Sequence, residues 1–77
     1  MTRYYFDLLD NHGTTVDEEG MELGSLQRVR EEARRSLSEF ARDEVASSEN
    51  EAPQELAIAV RDDRGLVFKV RFTFETA

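Results

Sequence analysis

The chain has no cysteine, no tryptophan, one proline and one histidine among its 77 residues. Without cysteine, neither disulfides nor thiolate metal ligands can staple the fold. Stability must therefore come from apolar burial and hydrogen bonding. No apolar run approaches the roughly 20 residues of a membrane-spanning helix. No basic stretch leads into an apolar core at the N-terminus, so no secretory signal is expected and the expected location is cytoplasmic. Cations are also scarce: 10 Lys and Arg stand against 17 Asp and Glu, a net charge of −7. That balance opposes bulk attraction to nucleic acid or anionic lipid.

A chain of 8.9 kDa has room for a single domain over residues 1–77. Folding at this size hides only about 60% of the unfolded surface, so the core is small. Residues 3–10, Arg-Tyr-Tyr-Phe-Asp-Leu-Leu-Asp, alternate in the manner of a strand, with Tyr4, Phe6 and Leu8 on one face and Tyr5, Asp7 and Leu9 on the other. Asn11-His12-Gly13 supplies turn chemistry, and Thr14-Thr15-Val16 can pair back as a short second strand. Asp17-Glu18-Glu19-Gly20 ends it, and Met21 and Leu23 are apolar anchors in the connection that follows.

A helix is expected from Ser25, whose hydroxyl can cap the first turn. Leu26, Val29, Ala33, Leu37, Phe40, Ala41 and Val45 recur at spacings of three and four and form one apolar stripe. Arginines and acids interleave on the opposite face. Pairs four apart, such as Arg28 with Glu32, Glu31 with Arg35, and Arg35 with Glu39, each contribute about 0.2–0.5 kcal/mol. Residues 46–54 read as a solvated loop. Leu56, Ile58 and Val60 then alternate with Ala57, Ala59 and Arg61, and Asp62-Asp63-Arg64-Gly65 is a turn. Leu66, Phe68, Val70, Phe72 and Phe74 alternate with Val67, Lys69, Arg71, Thr73 and Glu75, the pattern of a half-buried antiparallel strand.

The expected fold is α+β, hairpin–helix–hairpin, with one amphipathic helix packed on one face of a three- or four-stranded, mainly antiparallel sheet. The pattern leaves the strand order open: second, first, third, fourth keeps every neighbour antiparallel, whereas an order pairing the first and fourth strands needs one parallel pair. The expected core unites Phe6, Leu8, Leu37, Phe40, Ile58, Val60, Phe68, Val70 and Phe72.

The opening Arg3-Tyr4-Tyr5-Phe6-Asp7-Leu8 resembles the start of a family of short alphaproteobacterial proteins. The likeness continues through Asp17-Glu18-Glu19-Gly20-Met21-Glu22-Leu23 and the arginine-rich helix to Leu56-Ala57-Ile58-Ala59-Val60-Arg61-Asp62 and Val67-Phe68-Lys69-Val70. It covers nearly the whole chain and implies membership of a domain family of unknown function, with no activity attached. Nine Arg against one Lys suits a GC-rich bacterial genome. A looser similarity is to HicB-type antitoxins, where a small sheet also precedes a helix with spaced alanines. The expected departures from that family are a single short hairpin before the helix and no appended DNA-binding segment.

No enzyme is expected. His12 sits in a turn, and none of the five serines is placed at a strained nucleophile turn. Asp10, His12 and Asp17, with Glu18 or Glu19, do not match the spacing of a calcium loop and read as a solvated acidic turn. Neither metal nor cofactor is expected. The informative surface is the sheet face that the helix leaves open, where alternation places Tyr5, Leu9, Ala57, Ala59, Arg61, Val67, Lys69 and Arg71. Small alanines between Tyr, Leu and Val form a flat, partly apolar patch suited to an interface. The expected partner is a second copy or another protein. The alternative is a nucleic-acid-associated or antitoxin-like regulator, since a sheet bearing bases and an aromatic also serves RNA-binding modules.

Overall fold

The computed structural model describes residues 1–11, 13–47 and 55–73. Five strands and one helix follow in the order β1 (Thr2–Asp10), β2 (Gly13–Thr15), β3 (Met21–Leu23), α1 (Leu26–Ser47), β4 (Glu55–Asp62) and β5 (Gly65–Thr73). This is an α+β domain with the order β2-β1-β4-β5 and every pairing antiparallel, the one of the two open orders that needs no parallel pair. His12, Phe74 and the expected loop over 48–54 lie outside the described residues.

The sheet has one strand more than the sequence pattern predicts. Met21–Leu23, expected as a connection, is β3. It pairs with the first part of β1, Thr2 opposite Leu23 and Tyr4 opposite Met21. β2 pairs with the last part of the same edge, Leu8 opposite Thr15 and Asp10 opposite Gly13. One long strand is thus served along one edge by two three-residue strands, and the gap between them falls beside Phe6. Pieces this short carry no readable alternation of their own.

Helix α1 begins where its cap predicts. The Arg28 amide donates to Ser25 Oγ at 3.2 Å, and the Val29 amide donates to the Ser25 carbonyl. It continues to Ser47, past the expected loop boundary at 46. Among the described residues, an ion pair on its polar face joins Glu32 and Arg35, three apart rather than four, at 2.7 Å.

Among the described side chains, which exclude Val45, those of the helix that are buried are Val29, Ala33, Leu37 and Ala41, and they meet Leu23, Leu56, Ile58 and Val60. Tyr4, Phe6, Leu8, Val67, Phe68 and Val70 are partly buried against this cluster. Two expected core members lie elsewhere: Phe40 is 40% exposed and Phe72 is 38% exposed. Leu26, in the first turn, is also exposed. The helix row explains Phe40. Steps of four residues advance about 40° around the axis each time, so the contact line has turned by Ala41 and leaves Phe40 on the flank. Phe72 lies near the end of the outermost strand, opposite Leu56.

Ile58→Ala should therefore destabilise the domain by about 2–5 kcal/mol, since Ile58 is 1% exposed in the middle of β4. Phe72→Ala should cost clearly less. Chemical denaturation of both variants checks the ranking; equal losses would show that Phe72 is as much part of the core as Ile58.

Candidate functional site

Strand register arranges the open face in rows across β1, β4 and β5. Tyr5, Arg61 and Leu66 form one row, Asp7, Ala59 and Lys69 the next, and Leu9, Ala57 and Arg71 the third. Leu66 rather than Val67 stands opposite Arg61, because the β4–β5 register shifts between Val60 and Arg61. This bulge inserts an extra residue into β5, and Val67 packs against the core on the helix side. Strict alternation assigned Val67 to the open face; one inserted residue is enough to overturn that.

Tyr5 and Arg61 of the first row and the Asp7 end of the second are closed in on themselves, while Leu66 at the end of the first row is 66% exposed. Arg61 Nε donates to Asp7 Oδ2 at 2.8 Å, and Arg61 Nη2 donates to the Asp17 carbonyl at 2.9 Å. The guanidinium lies 4.4 Å from the centroid of the Tyr5 ring, a cation–π contact. The other Asp7 oxygen accepts the Asp17 amide at 2.9 Å. Asp7, 9% exposed, is thereby satisfied by a guanidinium and a backbone N–H. Among the described residues every buried side-chain nitrogen and oxygen has a partner.

Asp17 is the hub of this arrangement. Its Oδ2 accepts the Phe6 amide at 3.1 Å, in the gap between β2 and β3 where β1 has no strand beside it. Its Oδ1 accepts the Glu19 and Gly20 amides, both at 3.1 Å, which folds residues 17–20 into a tight turn. Arg3 Nη1 donates to the Glu19 carbonyl at 2.7 Å and holds the turn from the other side. Burial pushes the Asp17 carboxyl up, but the amides of Phe6, Gly20 and Glu19 and the charge of Arg61 outweigh it and hold the group below the ordinary aspartate value.

Gly20 completes the turn at φ +71°, in the left-handed region. A Cβ there would come within 2.8 Å of Tyr5 Cε2 and 2.9 Å of the Tyr4 carbonyl oxygen. Glycine is thus required twice, by backbone conformation and by contact with the ring. The Asp17-x-x-Gly20 spacing carried this information in the sequence: an aspartate capping amides two and three residues on, with glycine last. Read for charge alone, the segment is an acidic strand terminator, and its role was missed.

Of the expected interface residues, Tyr5 and Arg61 are therefore engaged within the chain. What remains open is a patch of Leu9, Ala59, Lys69 and Arg71 over a floor that includes Ala57, with Leu66 exposed at its β5 edge. Ala57 is buried between its row neighbours, Ala59 is half-buried, and Lys69 and Arg71 are exposed. Arg71 Nη1 pairs with Glu55 Oε1 at 3.0 Å, both side chains well solvated. Leu9, Asp10, Ala57, Lys69 and Arg71 line a shallow depression of about 220 Å³ here. Among the described residues no group of three or more His, Asp or Glu is placed to hold a metal, and the Asp17 oxygens are taken by amides.

A family model described as a domain of unknown function, DUF6894, matches residues 3–73, nearly the full chain. The protein belongs to that family. No curated protein and no solved structure matched it. No helix among the described residues is long and apolar enough to cross a membrane.

Two outcomes follow from the hub. Asp17 holds its proton less tightly folded than unfolded, so the unfolded state binds more protons at acidic pH. Its contribution is present above the unfolded aspartate value of about 3.9 and is lost as pH falls through the lower folded value. Asp17→Asn should reduce stability near neutrality by about 1–3 kcal/mol and flatten the acid limb of a stability–pH curve. An unchanged acid limb would show that other carboxylates set it. Gly20→Ala should cost about 1–3 kcal/mol in thermal unfolding, through the strained φ and the contact with Tyr5.

Proposed function

We propose that this domain is a non-catalytic protein-interaction or self-association module that binds through the remaining open sheet face. The observation that carries the reading is the floor of small side chains, Ala57 and Ala59, bordered by Leu9 on one side and by Lys69 and Arg71 on the other. Small residues on a central strand let a flat partner approach closely, and the flanking cations supply orientation at the rim. The reading also draws support from the closed end of the face. The Tyr5 ring is covered by Arg61 and lies against Gly20, so it is not offered to a nucleotide base. That favours protein over nucleic acid.

Lys69→Glu reverses the exposed charge, and Ala59→Glu places a bulky charge on the floor. Both are expected to abolish concentration-dependent association in sedimentation velocity while leaving circular dichroism unchanged. A wild-type protein that stays monomeric at every concentration, and loses no native partner on either substitution, defeats the proposal.

A further inference from the structure

On the helix side of the sheet, away from the open face, a second surface is exposed. Phe40 on α1 and Val16 just after β2 are 40% and 57% exposed, and with the half-buried Phe6 and Leu8 they line one groove of about 410 Å³. Phe40 and Val16 thus expose apolar surface at one place, beside the partly buried Phe6 and Leu8. Its border is acidic: Glu18 and Glu19 line the same groove. Neither carboxylate enters an ion pair among the described residues. The whole chain carries −7.

We propose that this groove docks a basic, apolar segment of a partner protein. An aliphatic or aromatic side chain fills the space between Phe40 and Val16, and flanking Lys or Arg residues meet Glu18 and Glu19. The charge decides the chemistry. An acidic segment would face the two glutamates and the net field of the chain, whereas a basic one gains from both. The stretches of this chain outside the description, 48–54 and 74–77, contain Glu49, Glu51 and Glu75 and no Lys or Arg, so they do not supply such an occupant. The apolar contact provides most of the affinity and the glutamates provide encounter rate and orientation. This site is independent of the open sheet face.

The probe is a fluorescein-labelled peptide of repeated Lys-Leu-Leu-Lys units, followed by anisotropy on the intact chain. Binding should weaken roughly tenfold with Phe40→Ser, and similarly with Val16→Ser, which removes an even more exposed side chain. Glu18→Lys with Glu19→Lys should weaken it and reduce its dependence on salt. Ala59→Glu, on the opposite face, should leave it unchanged, so failure here is separable from failure of the open-face reading. Circular dichroism checks that each variant is folded. The proposal is overturned if the same peptide with Glu for Lys binds equally, or if neither apolar substitution in a folded variant affects binding. It is also overturned if wild type without peptide self-associates and Phe40→Ser abolishes that, which would assign the groove to a second copy.

Discussion

A single carboxylate, that of Asp17, takes the place of a missing stretch of strand. The edge of β1 is covered at both ends by short strands and would be bare at Phe6; the Asp17 side chain accepts that amide instead. The same residue uses its amide on Asp7 and its carbonyl on Arg61. Backbone polar groups in a small domain must be paired or solvated, and here one residue resolves the edge and the turn with its carboxylate and the buried acid with its backbone amide. The lowered proton affinity of Asp17 is the electrostatic signature of that concentration of donors.

The elements with long periodic signals are legible in the sequence: β1, α1, β4, β5 and the Ser25 cap all agree with it, while the strand order is one of the two that strand directions left open. What escaped has a common cause. β3 is three residues long, too short for a period to show, and it was read as connection. Val67 was misplaced by one inserted residue, since the pattern of a strand holds only until its register breaks. Phe40 and Phe72 match the pattern of their elements but sit where those elements leave the core, and periodicity cannot locate the end of a contact line. The open-face residues were correctly grouped by alternation apart from Val67. That Tyr5 and Arg61 are committed to Asp7 and a distant turn depends on tertiary contacts between residues 54 apart, which no local pattern reports.

The arrangement divides the surface. At one end of the open face, cation–π contact, ion pair and turn fix the side chains and leave them little freedom to rearrange around a ligand. At the other end, small residues and solvated charges are held by few contacts. On the helix side, the rotation of the contact line that frees Phe40 also opens the groove beside it. Packing that is incomplete in a small core reappears as accessible apolar surface.

The connectivity of β4 has a kinetic side. β4 and β5 are joined by a two-residue turn, so their pairing closes a short loop, whereas β1 must meet β4 across the whole of the helix, Phe6 reaching Val60. Loop-closure entropy orders these events: the C-terminal hairpin is cheap to form early, and docking of β1 onto it is the slow, late step. The Arg61 bond of the Asp17 hub crosses that divide, whereas its bonds to Phe6, Asp7, Glu19 and Gly20 are local and stay on the β1 side. The natural fault line of the native state therefore runs between β1 and β4, and transient opening along it would peel β1, β2 and β3 away as a unit and leave the hairpin paired.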